Sequence, residues 1–512
     1  MAQGGIERPI SRVVATVAVF LVTLCGASPA SAAGGVGFST PTLKPAFDPA
    51  ITNYVTRCEP SERARVSVSD HMGIPVSVDH QPARRRGFTT KLPLLAGQRF
   101  IVTIGGGTTA VTYSVRCLPY DFPSFNVAVT GRPQVAYYLL TLGSAMTQPP
   151  LPYVVLFDNH GVPVWWYQEL NGVPDKASLL SNGDLAWEVN LGTPTLGSPP
   201  TIQWEEHRLG GAFVQTLQLP ATLNDSPEAQ PLPNGDFLIA DYAVRNAALA
   251  PLGLVGSTTV LDPMIEEVRS DGSVAYTWDS YGKIGLPESE RWWFAWQVWP
   301  GAPTGAWDTE HITSIEPDAD GYLVAMAHTD AVYLIRRSDG AVEWKLGGTP
   351  TPQSLTILGD ADALTDFGGP HDARVLADGT VSVFDNATFR NVVVPRVLRF
   401  RIDPLARTAT LVQALTDPLV SSSPCCGSAR LLPGGDWVVD WGGRQIVDEL
   451  APDGSLVLRL TVAAPYYSYR AFPILPGQLR PAQVIAGMDK MYPRPHPTLR
   501  RAPQKHQPIR RR

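Results

Sequence analysis

Charged residues are scarce in this 512-residue chain: Asp, Glu, Lys and Arg together make up 17%, against a usual share of roughly 25%. Long charged helices and coiled coils are therefore excluded. No apolar run reaches the roughly 20 residues that a membrane-spanning helix needs; the one from Val13 to Ala27 has 15. No phosphate-cradling glycine loop follows a strand and opens a helix, so no nucleotide cofactor is indicated. What the chain does have is turn formers and aromatics: 48 Pro, 45 Gly, 13 Trp, 16 Tyr and 16 Phe, with 44% apolar residues. That is too much core-forming material for disorder and too much turn chemistry for a helical protein. The composition predicts an all-β fold, long enough for one large domain and a smaller one.

The N-terminus carries Arg8 and Arg12 ahead of the short apolar run, then the small residues Ala30-Ser31-Ala32. Residues 1–32 read as a signal peptide, which implies a secreted, extracellular or cell-envelope protein. Cys25 follows Leu24 rather than a small residue, against a lipoprotein site. The mature chain then holds Cys58, Cys117, Cys425 and Cys426. Cys58 and Cys117 each end a strand-like segment, Tyr54-Val55-Thr56-Arg57-Cys58 and Tyr113-Ser114-Val115-Arg116-Cys117, on the same face as its Tyr, so a bridge between packed strands is plausible. Cys425 and Cys426 are either a vicinal disulfide or two buried thiols.

The formal charge of −6 is unevenly spread. Residues 491–512 hold seven Lys or Arg and no acid, a Pro-rich tail expected to be disordered. Setting aside those seven charges and the leader's net single positive charge leaves −14 on residues 33–490. So acidic a body argues against nucleic-acid binding. The tail reads first as a solubilising segment, with contact to an anionic cell envelope as the alternative.

Residues 37–118 alternate with strand period and show no helical period. Their start, Leu43-Lys44-Pro45-Ala46-Phe47-Asp48 running to Asn53-Tyr54, and their end, Val111-Thr112-Tyr113-Ser114-Val115, resemble cadherin-like β-sandwich domains. Such modules are usually adhesive or spacing, and no chemistry is expected there. Beyond Pro119 two series of hairpin turns alternate. One is centred on Gly183, Gly235, Gly321, Gly379 and Gly435, at separations of 52, 86, 58 and 56 residues. The other lies at Gly161, Gly211, Gly272, Gly340 and Gly454, with Trp165, Trp278 and Trp344 shortly after three of them. Two hairpins per 50–60 residues describe the four-stranded blade of a propeller. With Ala406-Arg407-Thr408 as a degenerate turn and an insertion in the 86-residue interval, the count predicts a six-bladed β-propeller over residues 126–475.

Propeller sites form where the inner strands and their loops meet the central channel. His311 stands just before Ile312-Thr313-Ser314-Ile315, and His371 before Asp372-Ala373-Arg374-Val375, at matching places in consecutive units. His328 is a third candidate. Around these residues the sequence resembles the bacterial arylsulfate sulfotransferases. The resemblance is carried by Trp307-Asp308-Thr309-Glu310-His311, Gly340-Ala341-Val342-Glu343-Trp344-Lys345, His371-Asp372-Ala373, Phe384-Asp385-Asn386, Leu232-Pro233-Asn234-Gly235 and Ser468-Tyr469-Arg470-Ala471.

That resemblance implies a six-bladed propeller that moves a sulfuryl group from an aryl sulfate to a phenol without a nucleotide donor. His371 matches the nucleophile, passing through a covalent sulfohistidine, and His311 the histidine that supports charge or protonates the leaving phenolate. Asp372 and Asn386 are candidate orienting groups. Two family features are absent: the His or His-His before the Leu-Pro-Asn-Gly turn is replaced by Asn224-Asp225-Ser226-Pro227-Glu228-Ala229-Gln230, and the Arg of the following blade by Ala327, beside His328. A non-catalytic propeller that binds a ligand or partner is the alternative. Asp318, Asp320 and Asp378 have calcium-loop spacing within ordinary hairpin turns, so no metal is expected.

Overall fold

The computed structural model describes residues 35–59, 63–143, 151–192, 202–216, 229–296, 306–361, 367–390 and 393–494. The leader at 1–32, residues 224–228 and tail residues 495–512 lie outside this set. No helix among the described residues is long and apolar enough to cross a membrane.

The N-terminal unit packs a three-stranded sheet, in the order Val36–Ser39, Ala64–Asp70, Phe88–Leu92, against a four-stranded one, Asn53–Arg57, Val111–Leu118, Arg99–Ile104, Val76–Val78. The strand Ala64–Asp70 shows why: Val66 and Val68 are buried while Arg65 and Ser67 alternate outward, the period-two pattern of a half-solvated sheet. Phe38, Tyr54, Phe100 and Tyr113 fill the space between the sheets. A disulfide joins Cys58 to Cys117.

The rest of the chain is a β-propeller. Six antiparallel sheets are present among its described residues. From the second to the sixth, the leading strands are Val173–Leu179, Ala229–Pro231, Ile312–Asp318, His371–Val375 and Ser428–Leu431. The first sheet instead takes its leading strand from the far end of the sequence: Phe472–Ile474 pairs with Tyr137–Leu142. Conversely, Phe125–Val129, the first strand after the sandwich, adds to the outer edge of the sixth sheet. The long interval between Gly235 and Gly321 is filled by the paired twelve-residue strands Phe237–Ala248 and Ser257–Val268 and by the helix Glu290–Trp296.

The turn glycines do what the sequence requires of them. Gly183, Gly235, Gly379 and Gly435 have φ between 77° and 99° and close their turns by hydrogen bonds from the glycine N–H. In the degenerate turn Arg407 takes φ 55°. Two of the three tryptophans after the second turn series stitch neighbouring sheets: Trp165 Nε1 donates to Leu209 O (2.8 Å) and Trp278 Nε1 to Gly340 O (2.9 Å), each acceptor lying in the second turn of the next sheet.

The C-terminal helix Pro481–Met491 buries Val484 and Met488 against the first sheet. Its Asp489 reaches the sandwich, holding Arg99 (2.6 Å) and Arg116 (2.8 Å). Just beyond it, Arg494, within the expected tail, pairs with Asp79 of the sandwich.

Candidate active site

Four leading strands carry a left-handed, non-glycine residue: Lys176 (φ 48°) in the middle of Val173–Leu179, His311 (52°) just before Ile312–Asp318, Asp372 (49°) second in His371–Val375, and Cys426 (64°) two residues before Ser428–Leu431. In three, the strand register shifts within the next residues. Such a kink re-aims side chains at a cost of order 1–3 kcal/mol per strained residue. His311 and His371 are not interchangeable by this measure. His311 itself takes the left-handed angle, whereas in the next sheet Asp372 does, one residue after His371.

His371 is 4% exposed. Its Nδ1 lies 2.9 Å from Gly369 O and 2.8 Å from Asn386 Oδ1. A carbonyl oxygen can only accept, so Nδ1 carries the proton and Nε2 keeps its lone pair. The backbone N–H of Cys426 donates to that Nε2 at 3.1 Å. Asn386 is itself fixed, its Nδ2 donating to Ser423 Oγ (2.7 Å) and Cys426 O (2.9 Å). Burial, with the nearby His311 and Arg470 adding to it, pushes the His371 pKa down to about 3, so the ring is neutral at pH 7. Cys425 and Cys426 form a vicinal disulfide, which decides between the two states left open above and sits in the loop that presents this amide.

His311 and His328 form a second group. His311 Nδ1 meets Asp308 Oδ2 at 2.5 Å, and its backbone N–H donates to Asp308 Oδ1 at 3.1 Å. His328 donates from Nδ1 to Asp308 O (2.8 Å). The two rings stack at 4.7 Å and 21°, and Trp292 stacks on the far side of His328 at 4.6 Å. Burial pushes His328 down to about 4. For Asp308 burial acts upward, yet His311 and His328 more than offset it and hold the carboxyl below its usual range. The ligand atoms of Asp308, His311 and His328 lie within 4.8 Å of one another. Stacked rings do not converge on one point, and Nδ1 of each histidine is engaged with Asp308, so the arrangement suits proton handling better than a metal ion.

Asp372 is fully buried and gathers cations from three elements. Arg374 approaches its Oδ1 at 2.7 Å and 3.0 Å, Arg430 its Oδ1 at 2.7 Å and Oδ2 at 2.8 Å, and Arg470 its Oδ1 at 3.6 Å; the Ala429 N–H adds a bond of 3.0 Å. Burial pushes this carboxyl upward, but the arginines outweigh it and hold it far below the ordinary range. Asp440, 0% exposed, is pushed up to about 8 by burial.

The sequence singled out His371, His311, His328, Asp372 and Asn386. The structure brings His371 to Asn386, and His311 to His328, while Asp372 turns to the arginines instead of to His371. Asp308, Trp292, Arg430 and the Cys426 amide were not singled out. Asp308 was legible from its three-residue spacing to His311; the amide was not, since it lies 55 residues away in sequence.

Residues 219–463 match the model of the arylsulfotransferase (ASST) family. His311, His328, His371, Asn386 and Cys426 all fall inside that span. No curated protein matches the chain. Similar solved structures include a Bacteroides caccae protein of unknown function (13% identity, 66% of this chain and 99% of that one, TM-score 0.40). A catalytically inactive virginiamycin B lyase from Staphylococcus aureus, with quinupristin, is similar at 11% identity, 68% and 89% coverage and TM-score 0.32. A β-propeller domain from Myceliophteria thermophila is similar at 10% identity, 59% and 90% coverage and TM-score 0.34.

Proposed function

The chain carries an arylsulfotransferase-family domain, and from that premise we propose that it transfers the sulfuryl group of an aryl sulfate to a phenol through a covalent sulfohistidine at His371. The observation that carries this reading is the His371 environment: Nδ1–H fixed by Gly369 O and Asn386 Oδ1, and a neutral ring whose basic nitrogen is Nε2. A neutral imidazole nitrogen is a competent nucleophile.

In the first step Nε2 attacks sulfur, the N–S bond forms and the S–O bond to the aryl group breaks. His311, held by Asp308 through Nδ1, gives the proton on its Nε2 to the departing phenolate. The Cys426 N–H, aimed at Nε2, turns to a sulfuryl oxygen as the N–S bond forms, and the Asn386 contact steadies the positive charge on the ring. In the second step an acceptor phenol passes its proton to His311 while its oxygen attacks sulfur, and the N–S bond breaks. His328 occupies the place beside the family arginine that is Ala327 here; buried and held neutral, it stacks on His311 and supports it. No bound cofactor takes part in this scheme. The leader at residues 1–32 would direct the protein out of the cytoplasm, where aryl sulfates and phenols are the small-molecule partners.

The test is intact-mass spectrometry after incubation with 4-nitrophenyl sulfate, together with nitrophenol release on adding a phenol. Expected is the added mass of one sulfuryl group, mapped to His371 and absent from His371→Ala. Neither added mass nor nitrophenol release from the wild-type protein would overturn the reading.

A further inference from the structure

A cavity lies among the leading strands, lined by Lys176, Ser178, Gln230, Arg374, Arg430 and Arg470. Its four cations come from four sheets: Lys176 from the second, Arg374 from the fifth, Arg430 from the sixth, and Arg470 from the segment entering the first. Arg374 spends its donors on Asp372, Glu316 and Gln230. Lys176 sits 3.3 Å from Glu188 and its ammonium lies over the Tyr469 ring at 4.7 Å.

Two polar atoms of residues lining this space make no hydrogen bond among the described residues. Arg430 binds Asp372 through Nε and Nη2, and its Nη1 has no hydrogen-bond partner among the described residues. Ser178, 8% exposed, has a buried Oγ with no hydrogen-bond partner among the described residues. A buried hydroxyl without a partner costs stability, and a guanidinium offering an unused N–H edge is the group that best matches a planar or tetrahedral oxyanion. Burial, with Arg374 beside it, pushes the Arg430 pKa down to about 10.

We propose that this cavity is an oxyanion-binding subsite, in which Arg430 Nη1 and Ser178 Oγ donate to a sulfate- or carboxylate-type group and Lys176 and Arg470 supply the surrounding positive charge. Tyr469 neighbours both sites: its ring centroid lies 6.2 Å from that of His371 and 4.7 Å from the Lys176 ammonium. The subsite stands on its own residues and does not depend on sulfuryl transfer at His371. The oxyanion arrives either free or as the acidic substituent of an aromatic molecule.

The experiment is calorimetric titration of the full chain with inorganic sulfate, 4-hydroxybenzoate and 4-hydroxybenzamide, on wild type, Arg430→Gln and Ser178→Ala. Sulfate and 4-hydroxybenzoate are expected to bind the wild type and the uncharged amide to bind far more weakly. Binding of 4-hydroxybenzoate without sulfate identifies the substituent as the source, and binding of both identifies the free ion. Arg430→Gln is expected to weaken binding roughly ten- to a hundredfold, the value of a charged hydrogen bond. Ser178→Ala is expected to weaken binding while leaving the unfolding midpoint unchanged or raised, an opposition that a structural role for Ser178 does not produce. Should Arg430→Gln fail to fold, Ser178→Ala decides alone. Failure of both anions to bind the wild type, or equal binding by wild type and Ser178→Ala, overturns the proposal.

Discussion

Replacing Asp372 by Asn tests whether the buried carboxylate organises the channel. The change is nearly isosteric, and Asn tolerates the left-handed φ of 49° at least as well as Asp, so backbone and packing stay constant. What is lost is the anion that Arg374, Arg430 and Arg470 share, at 0% exposure. Removing one partner of a buried pair leaves uncompensated charge and costs about 3–5 kcal/mol. Arg374 retains Glu316, but Arg430 pairs with no second carboxylate among the described residues, which favours the upper half of that range. The control is Asp339→Asn, at an ion pair with Arg336 that is 53% and 41% exposed; exposed pairs are worth roughly 0–1 kcal/mol. Urea unfolding followed by tryptophan fluorescence would measure both. A loss at Asp372 no larger than that at Asp339 would refute the reasoning, because the arginines would then be satisfied without their anion.

Three further outcomes are expected. His371 is held near pKa 3 when folded and rises to about 6.5 on unfolding. Its contribution to stability is therefore present above pH 6.5 and declines as the pH falls towards 3; the deficit of His371→Gln against wild type, read by urea midpoints, should shrink from pH 7 to pH 4, and a constant deficit would contradict the assigned burial. Asp440 shifts the other way, to about 8, so the folded state loses stability as the pH rises from about 4 through 8; Asp440→Asn should gain on wild type over that interval, and a variant less stable at pH 9 would count against it. Asp308→Asn leaves His311 without its anionic partner and should lower the rate of sulfuryl transfer about 100-fold or more, with little change in nucleophile labelling measured at long times; an unchanged rate would remove Asp308 from the mechanism.

The fold was written in local signals, and for that reason much of it could be read in advance. Asn-Gly and Gly-Gly turns need only their own two residues to bend, and Gly183, Gly235 and Gly435 carry the positive φ that their sequence implies. Gly321 sits in the same series for another reason: a Cβ there would meet Ile335 O at 2.0 Å, a cross-strand closeness that no turn pattern encodes. The site was partly legible, because His311 and His371 precede recognisable strands. Contacts made by backbone atoms or across sheets were not: the Cys426 amide on His371, and the gathering of Arg374, Arg430 and Arg470 on Asp372, depend on how distant leading strands meet. The short helix Pro481–Met491 was not legible either, because it falls between the end of the turn series at residue 475 and the basic tail that begins at 491.

The interlocked ends of the chain set a timetable for its birth. Tyr137–Leu142 emerges early but finds its inner neighbour only when Phe472–Ile474 has been made, roughly 330 residues later. Until then a strand edge stays open, the kind of surface that recruits stray partners. A nascent chain stopped before Phe472 would therefore lack the closing strand of its first sheet, and one stopped before Arg470 would lack a wall of the basic cavity as well. Completion of the ring and completion of the cavity are the same late event.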